Sequence, residues 1–240
     1  MTRRRWIADE VSGNRAALIG EHARHLSQVL RAKVGQEFDI AAVGEIRQGR
    51  ISSIGPERVE FELGEVITNS GTVLAITIAL SIFKFDRMEW AIEKCTELGA
   101  AKIIPVVAAR TEPHLASAAI KRTERWKRLA HAASEQSRRV IPPEIFEPVR
   151  VDELLLGSSG VRIVLSEIED ELMLKDAIPQ HVASLALAFG PEGGWKQEEL
   201  DAFQSAGWIS ASLGPTILRA ETAAIAAVVI ATSVLHRQTS

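Results

Sequence analysis

LALAFGPEGGW at 185–195 and SLGPTILRAETA at 212–223 are the two stretches that decide the fold. Leu185 to Phe189 is predicted to be a short buried strand, which ends where three glycines and a proline exclude both a helix and a continued strand. A second apolar strand, Trp208 to Leu213, ends in the same way at Gly214-Pro215. We expect both strands in one parallel sheet, with a helix after each loop. Ligands of open α/β sheets bind beyond the carboxyl ends of strands, so we expect the functional site at these loops.

The residues of the two loops are suited to binding a ligand. Gly193 and Gly194 allow backbone amides to approach a ligand without an intervening Cβ, and such amides bind an adenine edge or a carboxylate. Arg219 and Glu221 stand at the start of the helix after the second loop. Taken alone, GPEGG fits a tight turn before a helix equally well. The presence of two such loops favours a site.

Composition limits the class of protein. With 240 residues, 46% of them apolar, the chain can form one large or two small domains. The start MTRRRW has charges without an apolar run, so we expect no signal peptide, and Ala223 to Leu235 is too short to cross a bilayer. The single cysteine, Cys95, excludes an internal disulfide and fits a cytoplasmic protein. The six histidines form no HExxH or Cys/His cluster, so we expect no metal site.

The net charge of −3 conceals a segregation of charges. Residues 1–50 contain nine Lys and Arg against six Asp and Glu, residues 110–150 contain nine against five, and residues 151–210 contain three against eleven. Two basic regions beside an acidic one suit a protein that touches RNA phosphates over part of its surface. The same pattern also occurs on faces that are merely solvated.

Residues 1–68 are predicted to form a small β-rich module, a barrel of the kind that often carries RNA-binding loops. The strands predicted for it are Ala16 to Gly20, Gln36 to Ala42, Glu45 to Ile54 and Glu57 to Ile67, with one helix from Glu21 to Arg31. Its expected phosphate contacts are Arg3, Arg4, Arg5, Arg31 and Lys33. His22 and His25 lie on the helix, where surface or capping roles are an alternative to RNA binding.

Beyond a predicted boundary at residues 68–71, strands alternate with helices, which indicates an α/β domain over residues 72–240. The predicted strands are Thr72 to Ile82, Lys102 to Val107, Val161 to Leu165 and the two described above. The predicted helices are Asp86 to Leu98, Leu115 to Arg139 and Glu221 to Leu235, the last of them buried on every side. The second helix has a basic face formed by Lys121, Arg122, Arg125 and Arg128, which is either an RNA surface or a solvated one.

Five segments together resemble the RsmE family of bacterial 16S ribosomal RNA uridine-N3 methyltransferases, which belong to the SPOUT class. They are HLSQVLR at 25–31, KFDRMEWAIEKCTELGA at 84–100, SEQSRRVIPPEI at 134–145, GPEGGW at 190–195 and LGPTILRAETA at 213–223. The resemblance covers nearly the whole chain in the family's order. It implies an α/β fold, a SPOUT-type parallel sheet with a C-terminal trefoil knot, preceded by a small PUA-like β-barrel in which His25 and Val29-Leu30-Arg31 match the HxxxVLR motif.

The resemblance also implies a cofactor, a substrate and partners. The cofactor is S-adenosylmethionine (SAM), the partner is 16S rRNA or the small ribosomal subunit, and the protein is expected to be a cytoplasmic homodimer. The residues that match the cofactor site are Leu165, Ser166, Gly190, Glu192, Gly193, Gly194, Leu213, Gly214, Ile217, Leu218, Arg219 and Thr222. The expected RNA-binding residues are Arg4, Arg5, His25, Arg31, Lys33, Arg122 and Arg125.

Methylation of uridine N3 requires that the N3 proton be removed, by a general base or with the help of a cation. We expect Arg139 and Arg219 to hold the uridine or its phosphate, with Glu221 or a water as proton acceptor. Glu221 also fits a carboxylate that satisfies helix N-terminal amides. The family has a small residue before its arginine, so the pair Arg138-Arg139 leaves the equivalent residue open.

Other functions also fit the residues. The chain has no GxGxxG, GxxxxGK[ST] or GxSxG motif, so a Rossmann dinucleotide site, a P-loop and a serine hydrolase are not indicated. A non-catalytic RNA-binding protein would need the barrel and the basic helix but no cofactor pocket. A related SPOUT enzyme that modifies another RNA, or a ribose hydroxyl, would keep the pocket and change the product.

Overall fold

A computed structural model describes residues 5–69, 75–157, 160–180 and 182–236. These residues fall into two compact units. The first consists of the described residues up to 69 together with Ser134–Ile141, and the second contains the others. The boundary predicted at residues 68–71 lies partly outside the described residues.

The first unit is a six-stranded sheet within the described residues. Its strands are β1 (Arg5–Ile7), β2 (Glu10–Ser12), β3 (Arg15–Ile19), β4 (Glu37–Ala42), β5 (Glu45–Ile54) and β6 (Arg58–Asn69), in the order β1-β4-β5-β6-β3-β2. β1 is parallel to β4 and the other neighbours are antiparallel. Val59, Phe61 and Leu63 alternate into its core, as their spacing predicts. β1 and β2 were not predicted, because a strand of three residues is too short to show an alternating pattern.

The helix of this unit differs from the one predicted over residues 21–31. An α-helix, α1 (Gly20–Arg24), continues as a π-helix over His25–Val29, and the chain leaves it through Arg31, whose φ is 52°. A π-helix arises when one extra residue is accommodated inside a helical turn, often at functional sites. The apolar spacing of the sequence does not reveal this insertion.

The hairpin between β4 and β5 turns at Val43 and Gly44, which both have positive φ, 48° and 83°. Two-residue turns of this kind favour Asn-Gly, and a β-branched residue is strained there. Replacing the exposed Val43 with asparagine is therefore expected to raise the free energy of unfolding by about 1 kcal/mol. Unfolding in urea measures this difference in the free energy of unfolding. The control is Val34→Asn, an exposed valine without positive φ, and equal effects of the two changes would contradict this explanation.

The second unit alternates strands and helices. Its elements are β7 (Ala75–Ser81), α2 (Phe85–Glu97), β8 (Lys102–Val107), α3 (Pro113–Ala119), a 3₁₀ turn (Ile120–Arg122), α4 (Thr123–Gln136, of which Ser134 to Gln136 group with the first unit), β9 (Glu144–Ile145), β10 (Val149–Arg150), α5 (Val151–Gly157), β11 (Val161–Leu165), α6 (Leu174–Ala177), β12 (Ser184–Phe189), α7 (Gln197–Ser205), β13 (Ile209–Ala211) and α8 (Ala220–His236).

All strands of this unit are parallel, in the order β10-β8-β7-β12-β11-β13 with β9 beside β8, which confirms the predicted α/β class. Alternate residues of β12 enter different cores. Leu185, Leu187 and Phe189 pack with α2 and α8, whereas Ala186 and Ala188 pack with α5 and α7. The sheet is thus covered on both faces, as its nearly continuous apolar strands predict.

Two helix predictions were wrong in part. The single helix over residues 115–139 is α3, a 3₁₀ turn and α4, and it ends at Gln136. Spacings of three and four residues fit both one helix and two joined by a 3₁₀ turn. The expectation that α8 is buried on every side is also wrong for the single chain. Only the face that packs on α2 and the sheet is buried, and Val229 is 46% exposed.

Nowhere in the described ranges is a helix long and apolar enough to cross a membrane.

Candidate functional site

The loop after β12 is a compact turn at the carboxyl end of the sheet. The Gly194 amide donates to the Pro191 carbonyl at 2.8 Å, with Gly194 at φ 70°. The Trp195 indole Nε1 donates to the Leu165 carbonyl at 3.1 Å. This bond ties the glycine loop to the end of the neighbouring strand, β11.

Arg110 supports the same loop from the outside. Its Nη1 donates to the carbonyl oxygens of Gly193, at 2.6 Å, and Trp195, at 3.2 Å. The carboxylate of Glu199, in the first turn of α7, accepts hydrogen bonds from the backbone amides of Ala109, at 2.8 Å, and Lys196, at 2.9 Å. Protein hydrogen bonds thus hold the loop on both sides.

The loop after β13 leads into α8 through Gly214, whose φ is 128°. The Ser212 hydroxyl accepts a hydrogen bond from the Gly214 amide at 3.1 Å, and the Ser212 carbonyl accepts one from the Leu174 amide at 2.8 Å. β11 lies between β12 and β13, so the ends of the three strands adjoin.

These strand ends surround a pocket of about 290 Å³. Its lining includes the predicted cofactor residues Leu165, Ser166, Gly190, Glu192, Gly194, Leu213, Gly214, Ile217, Leu218 and Arg219. Gly193 and Thr222 are absent from the lining. Further lining residues that the sequence did not single out include Arg87, Glu167, Phe189, Ser212 and Ala223. The position of Glu167 just after β11 was an available signal, because the same strand-end argument applies to it.

Negatively charged carboxylates and positively charged guanidinium groups lie close together at the pocket. Arg87 Nη1 donates to Glu192 Oε1 at 2.7 Å, and Arg87 Nε lies 3.9 Å from Glu221 Oε1. Glu167 packs directly over Gly194, since a Cβ built on that glycine would lie 2.0 Å from Glu167 Oε1. Arg219 adds an exposed guanidinium at the rim. The site can therefore receive a ligand that carries both positive and negative groups.

Glu221 is a buried carboxylate in the first turn of α8, with 5% of its surface exposed. Within the part of the chain that the structure describes, its Oε2 accepts no hydrogen bond. A buried polar atom without a partner is costly, so such atoms call for an explanation. Glu221 contacts the pocket residue Arg87 but does not itself line the pocket.

Several residues expected to bind RNA lie on the first unit. His25, Arg31 and Lys33 are exposed, and the His25 ring lies edge-to-face with Trp6, at 5.7 Å between centroids. Arg5 is half-buried and donates through Nη1 to the Arg138 carbonyl. Arg3 and Arg4 lie outside the described residues. His22 pairs with Asp9 at 3.2 Å, and this hydrogen bond raises the pKa of His22.

The two arginines expected to bind RNA from the basic helix are already engaged. Arg125 forms a bidentate pair with Glu89, at 2.6 and 2.8 Å, and Arg122 lies 4.8 Å from the centre of the Phe85 ring and 3.4 Å from Glu89. Lys121 and Arg128 are exposed and form no ion pair with the described residues. Arg122 and Arg125 thus stabilise the packing of α2 against this segment, and their charge is partly neutralised by Glu89.

Arg138 and Arg139 follow the end of α4 in a helix-capping turn. The Arg139 amide donates to the Ser134 carbonyl at 2.9 Å and the Arg138 amide to the Glu135 carbonyl at 3.2 Å, and Arg138 has φ 59°. This is a Schellman arrangement, which places glycine at the left-handed position. An arginine there costs about 1–2 kcal/mol. Arg138 thus occupies the position that usually holds glycine, and Arg139 is the residue that follows it. Arg139 is half-buried, and this burial lowers the pKa of its guanidinium.

Comparisons with known proteins agree with this geometry. A family model described as an RNA methyltransferase domain matches residues 70–232, a range that contains the whole pocket. The protein named ribosomal RNA small subunit methyltransferase E in Bacillus subtilis is 32% identical over 219 residues, covering 86% of this chain and 85% of the relative. The protein of the same name in Aquifex aeolicus is 29% identical over 226 residues, covering 94% of this chain and 97% of the relative.

A solved structure extends the similarity to the fold. The crystal structure of a ribosomal RNA small subunit methyltransferase E from Neisseria gonorrhoeae bound to S-adenosyl methionine superposes with a TM-score of 0.85. It is 28% identical, and the alignment covers 98% of both chains. Because the family model spans most of the chain and the relatives align over nearly their whole length, the chain belongs to the RsmE family of RNA methyltransferases.

Proposed function

We propose that this protein is a SAM-dependent methyltransferase that methylates N3 of a uridine in the 16S ribosomal RNA of the small subunit. The observation that carries the proposal is the pocket at the ends of β11, β12 and β13, which lies inside the region that matches the RNA methyltransferase family. The relative from Neisseria gonorrhoeae binds SAM with the same fold.

The pocket fits SAM by its size, its backbone and its charges. A volume of about 290 Å³ is near the lower end of the range for small-molecule sites. Gly194 lets the Glu167 carboxylate lie against the loop at the pocket wall, where a Cβ would collide with it. The Glu167 carboxylate suits the ammonium and sulfonium groups, and the exposed Arg219 guanidinium suits the carboxylate, while Arg87 and Glu192 form an ion pair in the pocket wall. When bound, SAM supplies the methyl group.

The protein's own residues have to prepare the uridine. N3 becomes a nucleophile only when its proton is lost, and the negative charge then spreads onto the two carbonyl oxygens. Guanidinium groups near that charge favour the anion, which is the role we assign to Arg139 and Arg219. Glu221 or a water accepts the proton.

Glu221→Gln is expected to lower the turnover number about a hundredfold, because glutamine cannot take up the N3 proton. The unpartnered Oε2 of this buried carboxylate motivates the assignment. Calorimetry with SAM serves as the control and should give an affinity close to that of the wild type. Full turnover by the variant at neutral pH would remove Glu221 as the base and leave it as a support for Arg87.

RNA recognition is assigned to the first unit. We take its sheet as a PUA-like barrel covering residues 1–68, with His25, Arg31 and Lys33 exposed for contact with phosphates or bases. Arg4 is kept as a phosphate contact. Arg122 and Arg125 are weaker members of the RNA surface, since Glu89 already binds both. The substrate is the small ribosomal subunit or its 16S rRNA.

The finer features of the fold and its assembly are part of the same proposal. We assign residues 72–240 to a SPOUT domain with a C-terminal trefoil knot, acting as a cytoplasmic homodimer. One side of α8 is exposed and includes the apolar Val229, which is 46% exposed. This exposed apolar side chain supports the proposal that a partner protomer packs against α8. Sedimentation of the purified protein tests the dimer directly.

The function is tested by incubating the protein with methyl-labelled SAM and small ribosomal subunits that lack the modification. Nucleosides from the digested rRNA are then separated by liquid chromatography and identified by mass spectrometry. We expect N3-methyluridine as the labelled nucleoside. A ribose-methylated product would assign the enzyme to a different reaction, and SAM binding without any transfer to rRNA would assign it to another RNA. A folded protein that does not bind SAM would be a non-catalytic RNA-binding protein.

A further inference from the structure

The peptide bond between Arg138 and Arg139 is held at both of its polar atoms. Its N–H, on Arg139, donates to the Ser134 carbonyl at 2.9 Å and so completes the cap of α4. Its carbonyl oxygen, on Arg138, accepts a hydrogen bond from Nη1 of Arg5. A peptide group held at both ends has a fixed plane, so the backbone from which the Arg139 side chain departs is also fixed.

This fixation counteracts a strain that lies in the same turn. Arg138 has φ 59°, a conformation that glycine adopts freely and that arginine disfavours. Without a further contact, a turn with arginine at this position would also populate other backbone conformations, and the position of Arg139 would change with them. The charge-assisted bond from Arg5 favours the left-handed conformation, because it reaches the carbonyl where that conformation places it.

Arg5 is itself well placed for such a role. It begins β1, which pairs in parallel with β4 at the register Arg5 to Asp39. Its side chain is half-buried: Nε is buried and has no hydrogen-bond partner within the described residues, while the bond from Nη1 to the Arg138 carbonyl lies at the surface. Because Nη1 is already engaged with this carbonyl, the geometry fits a clamp on the turn better than a contact with RNA.

We propose that Arg5 is a positioning residue, which holds the strained Arg138–Arg139 peptide and thereby sets the orientation of Arg139 for methyl transfer. The proposal rests on the proposed function, in which Arg139 acts on the uridine. It predicts an energetic link between Arg5 and the conformation of residue 138. A glycine at position 138 should make the clamp largely unnecessary.

The experiment is a double-substitution cycle with Arg5→Met, Arg138→Gly and both changes together. Steady-state methylation of small ribosomal subunits gives the turnover number and KM, and calorimetry gives the affinity for SAM. Arg5→Met is expected to lower the turnover number about tenfold through misplacement of Arg139, with the SAM affinity retained. Arg138→Gly is expected to keep the turnover number of the wild type. In the double variant, the turnover number should recover to within about threefold of the wild type, because glycine holds the turn unaided.

The alternatives give distinct results. If Arg5 binds RNA phosphate instead, Arg5→Met raises KM for the subunit, flattens its salt dependence, and is not rescued by Arg138→Gly. That result, or a normal turnover number in Arg5→Met, would overturn the clamp while leaving the proposed function intact. Arg139→Gln separates the two ideas. Full activity in that variant would overturn the role of Arg139 in the proposed function, and the positioning role of Arg5 with it.

Discussion

Gly194→Ala is expected to weaken SAM binding by about fivefold to thirtyfold, because alanine at φ 70° costs about 1–2 kcal/mol. The Gly194 amide closes the loop on the Pro191 carbonyl. An alanine would relax toward negative φ and open this turn, and binding would have to restore it. The new Cβ would also start 2.0 Å from Glu167 Oε1, so the Glu167 carboxylate must rotate out of its place in the pocket wall. Calorimetry with SAM measures the effect.

The neighbouring glycine provides the comparison. A Cβ on Gly193 would meet only the side chain of Arg110, at 3.4 and 3.6 Å, and Gly193 has no positive φ. Gly193→Ala is therefore expected to lose clearly less affinity than Gly194→Ala, although both glycines match the same family motif. Equal losses would mean that neither the positive φ of Gly194 nor its contact with Glu167 is the deciding factor.

The location of the site could be predicted from sequence because it depends on the ends of strands. Each of two apolar runs stops at glycine and proline, and parallel strands deliver such stops to one edge of a sheet. Gly190 and Gly214 are therefore predicted to lie at the same edge of the sheet although they are far apart in sequence. The structure brings both to one pocket, with Leu165 and Ser166 from β11 between them.

Other features depend on contacts between distant segments, which local patterns do not encode. Arg87 and Glu192 are 105 positions apart and pair only because α2 and the glycine loop meet at the sheet edge. Residues 134–141 group with the first unit although they lie within the second in sequence. Arg5 appeared to be one of several basic residues at the start of the chain, and its bond to Arg138 could not have been anticipated. The family resemblance pointed to the pair Arg138-Arg139 without separating its members, and only the structure shows that Arg138 alone of the two has a positive φ.

Arg139→Gln is expected to lower the turnover number by about a hundredfold to a thousandfold, the usual loss when one preorganised donor to a developing negative charge is removed. Glutamine keeps a hydrogen-bond donor but not the positive charge that favours the uridine anion. The guanidinium stays charged near neutral pH although burial lowers its pKa, so the loss should persist across that range. Methyl transfer to small ribosomal subunits measures it, with SAM affinity as a check on folding.

Arg138→Gln makes the same chemical change one residue earlier. Arg138 occupies the left-handed position of the helix cap, and glutamine there suffers the same strain while its carbonyl still accepts the bond from Arg5. Its turnover number is expected to stay within about threefold of the wild type, since only the charge of an exposed side chain is lost. If Arg138→Gln were the inactive variant and Arg139→Gln the active one, the functional arginine would be Arg138, and its left-handed backbone would be the strain retained for function.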